Sequence, residues 1–273
     1  MGILKKLTEE YFGEIEREED EINIDKLNVE IVSFTDNNGK KHKRGYKPKD
    51  KDTLKWLLKR MIEVRGDEGD FNDIDTSDIE SMTSLFNHNE TFNGDITGWN
   101  VSSVISMNSI FYGAKSFNQD ISKWKFPNVR DMKCMFCEAS SFNQDISKWK
   151  FPNVKDMSYM FSGAKSFNQP IGDWEFPNVE DMSGMFKEAT SFNQPIGNWN
   201  VSSVININSM FYNATSFNQP IGDWKFPNVI DMNRMFAYAT SFNQDLSKWD
   251  LKGKNKTEIF NGCPIKDEYK PKI

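Results

Sequence analysis

The 273-residue chain has few of the residues on which most catalytic and metal sites depend. It contains three cysteines and two histidines, and His42 and His88 lie in unrelated parts of the sequence. A catalytic triad or a zinc site needs such residues together with nearby supporting groups. We therefore expect no catalytic residue, no metal and no cofactor. The chain also has no apolar run long enough to cross a bilayer, so we expect no membrane insertion.

Two further features bear on location and partners. The first residues, Met1 to Glu10, lack the apolar core and small-residue cleavage site of a secretory signal, so the chain as given is expected to be cytoplasmic, with the cell surface as the alternative. The formal net charge is −6 and the isoelectric point is near 5.2, which argues mildly against a general nucleic-acid binder.

What the sequence does contain is an internal repeat. Tryptophan recurs every 25 residues at Trp99, Trp124, Trp149, Trp174, Trp199, Trp224 and Trp249. Two phenylalanines per unit keep the same period, as in Phe136 and Phe142. A fixed period of this length is typical of stacked-repeat proteins. The segment Trp-Asn-Val-Ser-Ser-Val-Ile after position 98 returns one hundred residues later, which indicates duplication of a four-unit block.

The spacing within one unit predicts its local structure. Trp149 and Phe151 flank Lys150, which predicts a short strand with the two aromatic side chains inside and the lysine outside. Apolar residues then follow at spacings of three and four from Val154 to Phe167, which predicts a helical turn or short helix. One asparagine per unit falls at a tight corner, where we expect a hydrogen-bonded ladder: Asn93, Asn118, Asn143, Asn168, Asn193, Asn218 and Asn243.

The fold predicted from these patterns is an α/β repeat solenoid with one parallel sheet and about eight units. We assign residues 71–250 to the solenoid, residues 1–70 to a small α+β N-terminal cap and residues 251–273 to a C-terminal cap. Within the N-terminal cap we predict a helix from Leu4 to Glu21, a strand from Leu27 to Phe34, a hairpin turn at Asn38-Gly39 and a helix from Asp52 to Ile62.

The phrase M-x-x-M-F-x-x-A-x-x-F-N-Q-D/P-I-x-x-W, which recurs from about Asp75 to Asp250, resembles the BspA-like leucine-rich-repeat family of bacterial surface proteins and mycoplasma lipoproteins. The resemblance implies a right-handed leucine-rich-repeat-like solenoid that is used for binding, often at the cell surface. It supplies no catalytic residues to carry over.

Candidate binding residues lie on the outward positions beside the tryptophans. A basic cluster followed by an acidic step could recognise a charged protein surface, although ordinary surface charge is the alternative. The set is Lys123, Lys125, Lys148, Lys150, Asp173, Glu175 and Lys225. The return arm of the predicted hairpin could bind an anion or nucleic acid, or could be a solvated arm. Its candidates are Lys40, Lys41, Lys43, Arg44 and Lys47.

Two other groups receive structural interpretations. Cys134 and Cys137 form a C-x-x-C pair without further ligands, and we interpret them as ordinary surface thiols. Aspartates at one phase of the repeat could suggest calcium, but a role in accepting backbone N–H groups explains them more simply. They are Asp131, Asp156, Asp181 and Asp231.

The functional hypothesis is a monomeric, non-enzymatic scaffold that binds a protein partner through its outward strand face. It could act as an intracellular inhibitor, immunity factor or adaptor. A surface adhesin or glycan-binding protein is the alternative, and nucleic-acid binding through the basic hairpin is a further one.

Overall fold

The structure, a computed structural model, describes residues 29–272. The predicted helix from Leu4 to Glu21 lies outside these residues. The predicted hairpin is confirmed: β1 (Val29–Thr35) and β2 (Lys41–Pro48) pair in antiparallel fashion. Gly39 in the connecting turn has a φ of +85°, a conformation that glycine adopts without the penalty of a β-carbon.

Helix α1 (Lys51–Arg65) follows the hairpin and confirms the second predicted helix of the cap. It begins because Asp50 accepts a hydrogen bond from the Thr53 N–H at 2.8 Å, and it ends at Gly66, whose N–H bonds to the Ile62 carbonyl. One stripe of the helix is buried and the rest is solvated. The buried residues are Leu54, Leu57, Leu58 and Met61.

Hairpin and helix are joined to the repeats by polar contacts and by one shared core. Arg65 forms a bidentate pair with Asp73, at 2.8 and 2.9 Å. Tyr46 of β2 forms a parallel bridge with Ile74, at the phase of the repeat tryptophans. The buried face of α1 belongs to the same hydrophobic cluster as the repeat aromatics. The first repeat is therefore covered at its open end.

Residues beyond Asp70 form a stack of 25-residue units. Successive units meet at single parallel β-bridges rather than at long strands, and the series runs through Ser81, Ser106, Asp131, Asp156, Asp181, Asn206, Asp231 and Asn255. The last step is 24 residues, and Phe260 correspondingly stacks on Phe236 one residue early. The C-terminal segment closes this end, where Leu246 N–H bonds to the Tyr269 carbonyl beside a short 3₁₀ helix, Asp267–Tyr269.

The strand predicted at Trp149–Phe151 is wrong, although the predicted orientation is right. Trp149 and Phe151 are buried and Lys150 is exposed, yet the segment forms no strand, and the bridge lies at Asp156 instead. The Trp149 N–H donates to Ile146 within its own unit, at 3.1 Å. Pro152, which has no N–H, follows directly. The backbone here cannot support a ladder to the next unit.

The helix predicted after Val154 is also wrong. Tyr159 and Gly163 both have φ near +60°, and two left-handed residues four apart interrupt any right-handed helix. Backbone N–H groups alternate instead between two kinds of partner. Met160 donates to Met157 in the same unit at 3.2 Å, whereas Phe161 donates to Met185 in the next unit at 2.9 Å. Each unit is thus tied to its neighbour through this segment as well as at the bridge.

The repeat aromatics form continuous columns inside the stack, and the predicted burial of all seven tryptophans is confirmed. Phe136 stacks on Phe161 with ring centroids 5.6 Å apart and an interplanar angle of 9°. On the tryptophan side the same two units are further apart, since the Phe126 and Phe151 centroids are separated by 6.4 Å. Stacked and edge contacts of this kind add to the energy of area burial.

The indole N–H groups are also used in the stack. Trp174 donates to the Ile146 carbonyl at 3.1 Å, and Trp199 donates to Ile171 at 2.9 Å. The sequence analysis did not foresee this link, which crosses from one unit to the one before. Trp124 differs, because its buried Nε1 has no hydrogen-bond partner among residues 29–272.

The predicted asparagine ladder is confirmed. Asn143 Oδ1 accepts a hydrogen bond from the Asn168 N–H at 2.9 Å, and Asn168 Oδ1 accepts one from the Asn193 N–H at 2.9 Å. Gln194 Nε2 also donates to Asn168, at its carbonyl oxygen and at Oδ1. The ladder satisfies backbone donors at the inner corners, where water has little access.

Replacing Asn168 with alanine should lower the free energy of unfolding by about 1–3 kcal/mol, because a half-buried donor on Asn193 loses its acceptor. Asn178 is the matched control, since its side chain bonds to the Pro152 carbonyl at an exposed corner. Asn178→Ala should cost about 1 kcal/mol or less. Chemical denaturation of both variants measures the difference, and equal losses would contradict a stabilising role for the ladder.

One further property concerns membranes. Helix α1 has 15 residues and carries many charged side chains, and within residues 29–272 no helix meets the length and apolarity that crossing a bilayer requires.

Candidate partner-binding surface

Four lysines form a basic patch on the tryptophan side of two adjacent units. Lys123 and Lys125 flank buried Trp124, and Lys148 and Lys150 flank buried Trp149. All four lysines are exposed. Because the indoles between them are fixed in the core, the backbone that carries the lysines is held in place. We call these four residues the lysine patch.

An acidic step lies beside the lysine patch, as the sequence predicts. Lys150 Nζ is 4.0 Å from Glu175 Oε1, and the two side chains are 66% and 81% exposed. An ion pair this exposed contributes little to stability and is readily exchanged for a partner's charge. Asp173 and Lys225 are also exposed on this side, in the units that follow. The structure thus places the seven predicted residues on one side, in segments that are not strands.

The tip of the hairpin lies against the lysine patch, a contact that the sequence analysis missed. Asn37 donates its backbone N–H to the Gly98 carbonyl at 2.8 Å and its side-chain amide to the Lys123 carbonyl at 3.2 Å. Lys123 Nζ in turn donates to Asn38 Oδ1 at 2.9 Å. The hairpin and the patch therefore form one continuous surface, and Lys123 is partly engaged within the chain.

A buried ion pair supports the hairpin tip. His42 Nε2 and Asp36 Oδ2 are 2.8 Å apart, and both side chains are almost fully buried. Asp36 also accepts the N–H groups of Asn38 and Lys40, and a side chain at Gly98 would collide with it. Burial alone would raise the pKa of Asp36, but these hydrogen bonds outweigh burial and the pKa is lowered.

The lowered pKa of Asp36 predicts acid sensitivity of the hairpin. The stabilisation it provides is fully present above the ordinary carboxyl pKa of 3.8 and is lost as pH falls through the lower folded-state pKa. Asp36→Ala should cost about 2–3 kcal/mol near neutral pH, and the gap between variant and wild type should narrow below about pH 4. Urea unfolding across this range measures the gap. A gap independent of pH would contradict the assignment.

The predicted anion-binding set is divided in the structure. Lys40 pairs with Asp70 at 3.3 Å. Lys47 lies 3.0 Å from Asp78 and 3.7 Å from Asp75, and its hydrogen bond to Asp78 is the main reason that its pKa is raised. The rest of the set, Lys41, Lys43 and Arg44, is exposed. Part of the hairpin's positive charge is thus neutralised by its own chain, which weakens the case for a nucleic-acid site.

The cysteine prediction needs correction. Cys134 is half-buried and Cys137 is buried, so the pair does not consist of surface thiols. A hydrogen bond from the Cys137 thiol lowers the pKa of Cys134, and this hydrogen bond, together with burial, raises the pKa of Cys137. The two cysteines differ in character, although neither is part of a disulfide.

The aspartates at the β-bridges have the role that the sequence predicts. Asp156 Oδ1 accepts the Ser158 N–H at 2.7 Å, and Asp181 Oδ1 accepts the Ser183 N–H at 2.7 Å, although turns rather than helices follow. Asp131 and Asp231 do the same two residues ahead. Within residues 29–272, no group of three or more acidic, histidine or cysteine side chains is arranged to hold a metal ion.

A second exposed surface escaped the sequence analysis. Among the six large apolar side chains that are exposed in the described residues, three occupy one position of the repeat: Ile105, Ile205 and Ile230. Other units have Arg130, Lys155 and Glu180 at that position. The signal was present in the sequence as apolar residues at a position where neighbouring units are charged.

These features define the chain as a repeat protein, built from stacked 25-residue units with exposed charged sides. It belongs to the family described as "Mycoplasma protein of unknown function, DUF285", whose model matches residues 57–174 and again residues 161–269. The second match begins 104 residues after the first (161 minus 57), close to the length of four units. Comparison with curated proteins and with solved structures produced no match.

Proposed function

We propose that this protein is a non-enzymatic scaffold that binds a protein partner through the lysine patch and the adjoining hairpin tip. The observation that carries the proposal is the continuity of this surface. The hairpin tip is hydrogen-bonded to Gly98 and Lys123, beside three further exposed lysines. A rigid core holds the charges in place before the partner arrives, which lowers the entropic cost of binding.

The kind of partner follows from the order of charges. Four lysines on two adjacent units favour an acidic surface, and Asp173 and Glu175 on the next unit favour a basic group beside it. Complementary patterns of this sort set the specificity and the association rate more than the total affinity. The partner in this proposal therefore has an acidic patch with a basic margin. Lys225 extends the surface two units further.

The proposal includes the fold class and the cellular role. We take the stack to be a right-handed solenoid of the BspA-like leucine-rich-repeat type, with residues 1–70 and 251–273 as caps. The motif that recurs through the units, including its Met-Phe step and its Phe-Asn-Gln corner, supports this. Inside a cell such a scaffold would act as an inhibitor, immunity factor or adaptor. The resemblance to surface proteins favours an adhesin or glycan-binding role as the second candidate.

Affinity capture with the full chain as bait tests the main proposal. A protein recovered from a lysate of the source organism would be purified, and its equilibrium affinity for the chain would be measured. We expect the Lys125→Glu/Lys150→Glu chain to lose this binding, whereas Ile230→Lys, on a different surface, should retain it. Binding that is lost equally in both variants, or in neither, would contradict the proposed surface.

The same assay separates the alternatives. Nucleic-acid binding through Lys41, Lys43 and Arg44 predicts an affinity that falls steeply with salt, as counterions are released. Glycan binding predicts competition by free oligosaccharide and little change on charge reversal in the lysine patch. Either result would replace the protein-binding proposal.

A further inference from the structure

A column of exposed side chains runs along the stack at the β-bridge position, away from the tryptophan side. It consists of Ile105, Arg130, Lys155, Glu180, Ile205 and Ile230, and we call it the bridge column. Ile105, Ile205 and Ile230 are 44%, 40% and 65% exposed. Large apolar side chains that cluster on a polar surface are typical of interaction sites.

The backbone fixes this column. The Arg130 N–H donates to the Ile105 carbonyl at 2.9 Å, and the Lys155 N–H donates to the Arg130 carbonyl at 2.8 Å. Bonds of this parallel type continue through Glu180 and Ile205 to Ile230. Hydrogen-bonded neighbours of this type lie about 4.8 Å apart. The bridge column is therefore regular and preorganised for a partner with matching spacing.

A groove runs beside the apolar end of the column. It has a volume of about 520 Å³, and its walls include Pro177, Asn178 and Asn228 as well as Ile205 and Ile230. At its other end lies the Lys155–Glu180 ion pair, at 3.0 Å. An occupant must therefore bring an apolar group to the isoleucines and opposite charges to the ion pair.

The order of side chains in the column is complementary to its own reverse. A two-fold axis midway between Lys155 and Glu180 would place Lys155 of one chain against Glu180 of another, and the reverse. The same axis would place Ile105 against Ile230. Arg130 would lie across Ile205 and next to the second chain's Glu180. The contacts join opposite charges or apolar groups, as an isologous interface requires.

Other registers of the same pairing are unfavourable. An axis through Lys155 would oppose two copies of that lysine, and an axis through Glu180 would oppose two copies of that carboxylate. Directly opposed like charges cost affinity. We propose that the bridge column mediates an antiparallel homodimer, in which two copies of this chain pair about an axis between Lys155 and Glu180. The dimer departs from the monomer expected from the sequence, and it leaves the lysine patch free.

Sedimentation equilibrium of the full chain across the micromolar range tests the dimer. The wild type should show reversible self-association. Ile230→Lys should raise the dissociation constant roughly tenfold or more, because each dimer contains the contact twice. Lys155→Glu should do the same, because it opposes two carboxylates at each of two symmetric positions. The exchanged variant Lys155→Glu/Glu180→Lys should recover wild-type association.

Lys125→Glu, in the lysine patch, is the matched control and should leave self-association unchanged. A wild type that stays monomeric throughout the range would overturn the proposal. An exchanged variant that fails to recover while its thermal unfolding matches the wild type would overturn it too. Neither result bears on binding at the lysine patch, so the two proposals fail separately.

Discussion

Replacing Lys125 and Lys150 with glutamate should weaken binding of the protein partner roughly a hundredfold or more, because juxtaposed like charges cost several kcal/mol. The two side chains project from adjacent units and neither supports the core, so folding should be unaffected. Lys150 makes only a long, exposed contact of 4.0 Å with Glu175. Titration calorimetry with the purified partner measures the effect, and circular dichroism checks that the variant is folded.

The control is a double variant with the same change in net charge. Lys133 and Lys165 are exposed elsewhere on the stack, and Lys133→Glu/Lys165→Glu should leave affinity within about threefold of wild type if long-range charge is screened. An equal loss in both double variants would mean that net charge, rather than the lysine patch, governs binding. Unchanged affinity in the patch variant would remove the patch from the interface.

The largest effect on stability should come from the phenylalanine column. Phe161→Ala should lower the free energy of unfolding by about 3–5 kcal/mol, the range for a large buried aromatic. The Phe161 ring is fully buried and stacks on Phe136 at 5.6 Å, on Phe167 at 4.0 Å and on Phe186 at 5.8 Å. Its removal leaves a cavity shared by three successive units. Urea denaturation measures the loss.

Val64→Ala is the reference for that measurement. Val64 lies on the exposed side of α1, so its truncation should change stability by less than about 0.5 kcal/mol. Because a repeat array can lose units separately, two probes should be followed, tryptophan fluorescence and far-ultraviolet dichroism. If Phe161→Ala cost no more than Val64→Ala, the stacked rings would not be the stabilising core.

The interior of the stack could be predicted from sequence because its period is long and strict. Trp149, Phe151 and Asn143 each repeat at intervals of 25 residues, and a side chain repeated in this way must meet its own equivalent in the next unit. Burial of the tryptophans and the asparagine ladder follow from that alone. The hairpin and α1 could be predicted from local signals, Asn38-Gly39 and the apolar stripe from Leu54 to Met61.

The backbone of each unit could not be predicted from spacing. Apolar residues three and four apart, such as Met157, Met160 and Phe161, fit a helix, but they fit equally a chain of turns with left-handed residues between them. Tyr159 is one such residue, and a tyrosine gives no sign of a positive φ. Likewise, Trp149 and Phe151 alternate as in a strand while their N–H groups are used or displaced locally.

The candidate surface was half visible in the sequence. The lysines beside Trp124 and Trp149 could be assigned to the outside because the aromatic neighbours had to be inside. The contact between Asn38 and Lys123 could not be foreseen, because it joins positions 85 residues apart through a hydrogen bond that no periodicity encodes. The bridge column was missed because the bridge itself was placed at the wrong residues.

The wider separation of the units on the tryptophan side has a consequence for ligand geometry. Phe126 and Phe151 are 6.4 Å apart, against 5.6 Å for Phe136 and Phe161, so the stack splays open like a fan where the lysines project. Alternate residues of an extended peptide are about 6.6 Å apart. A partner segment lying lengthwise could therefore present every second side chain to a successive unit. The protein would read it as a ruler reads equally spaced marks.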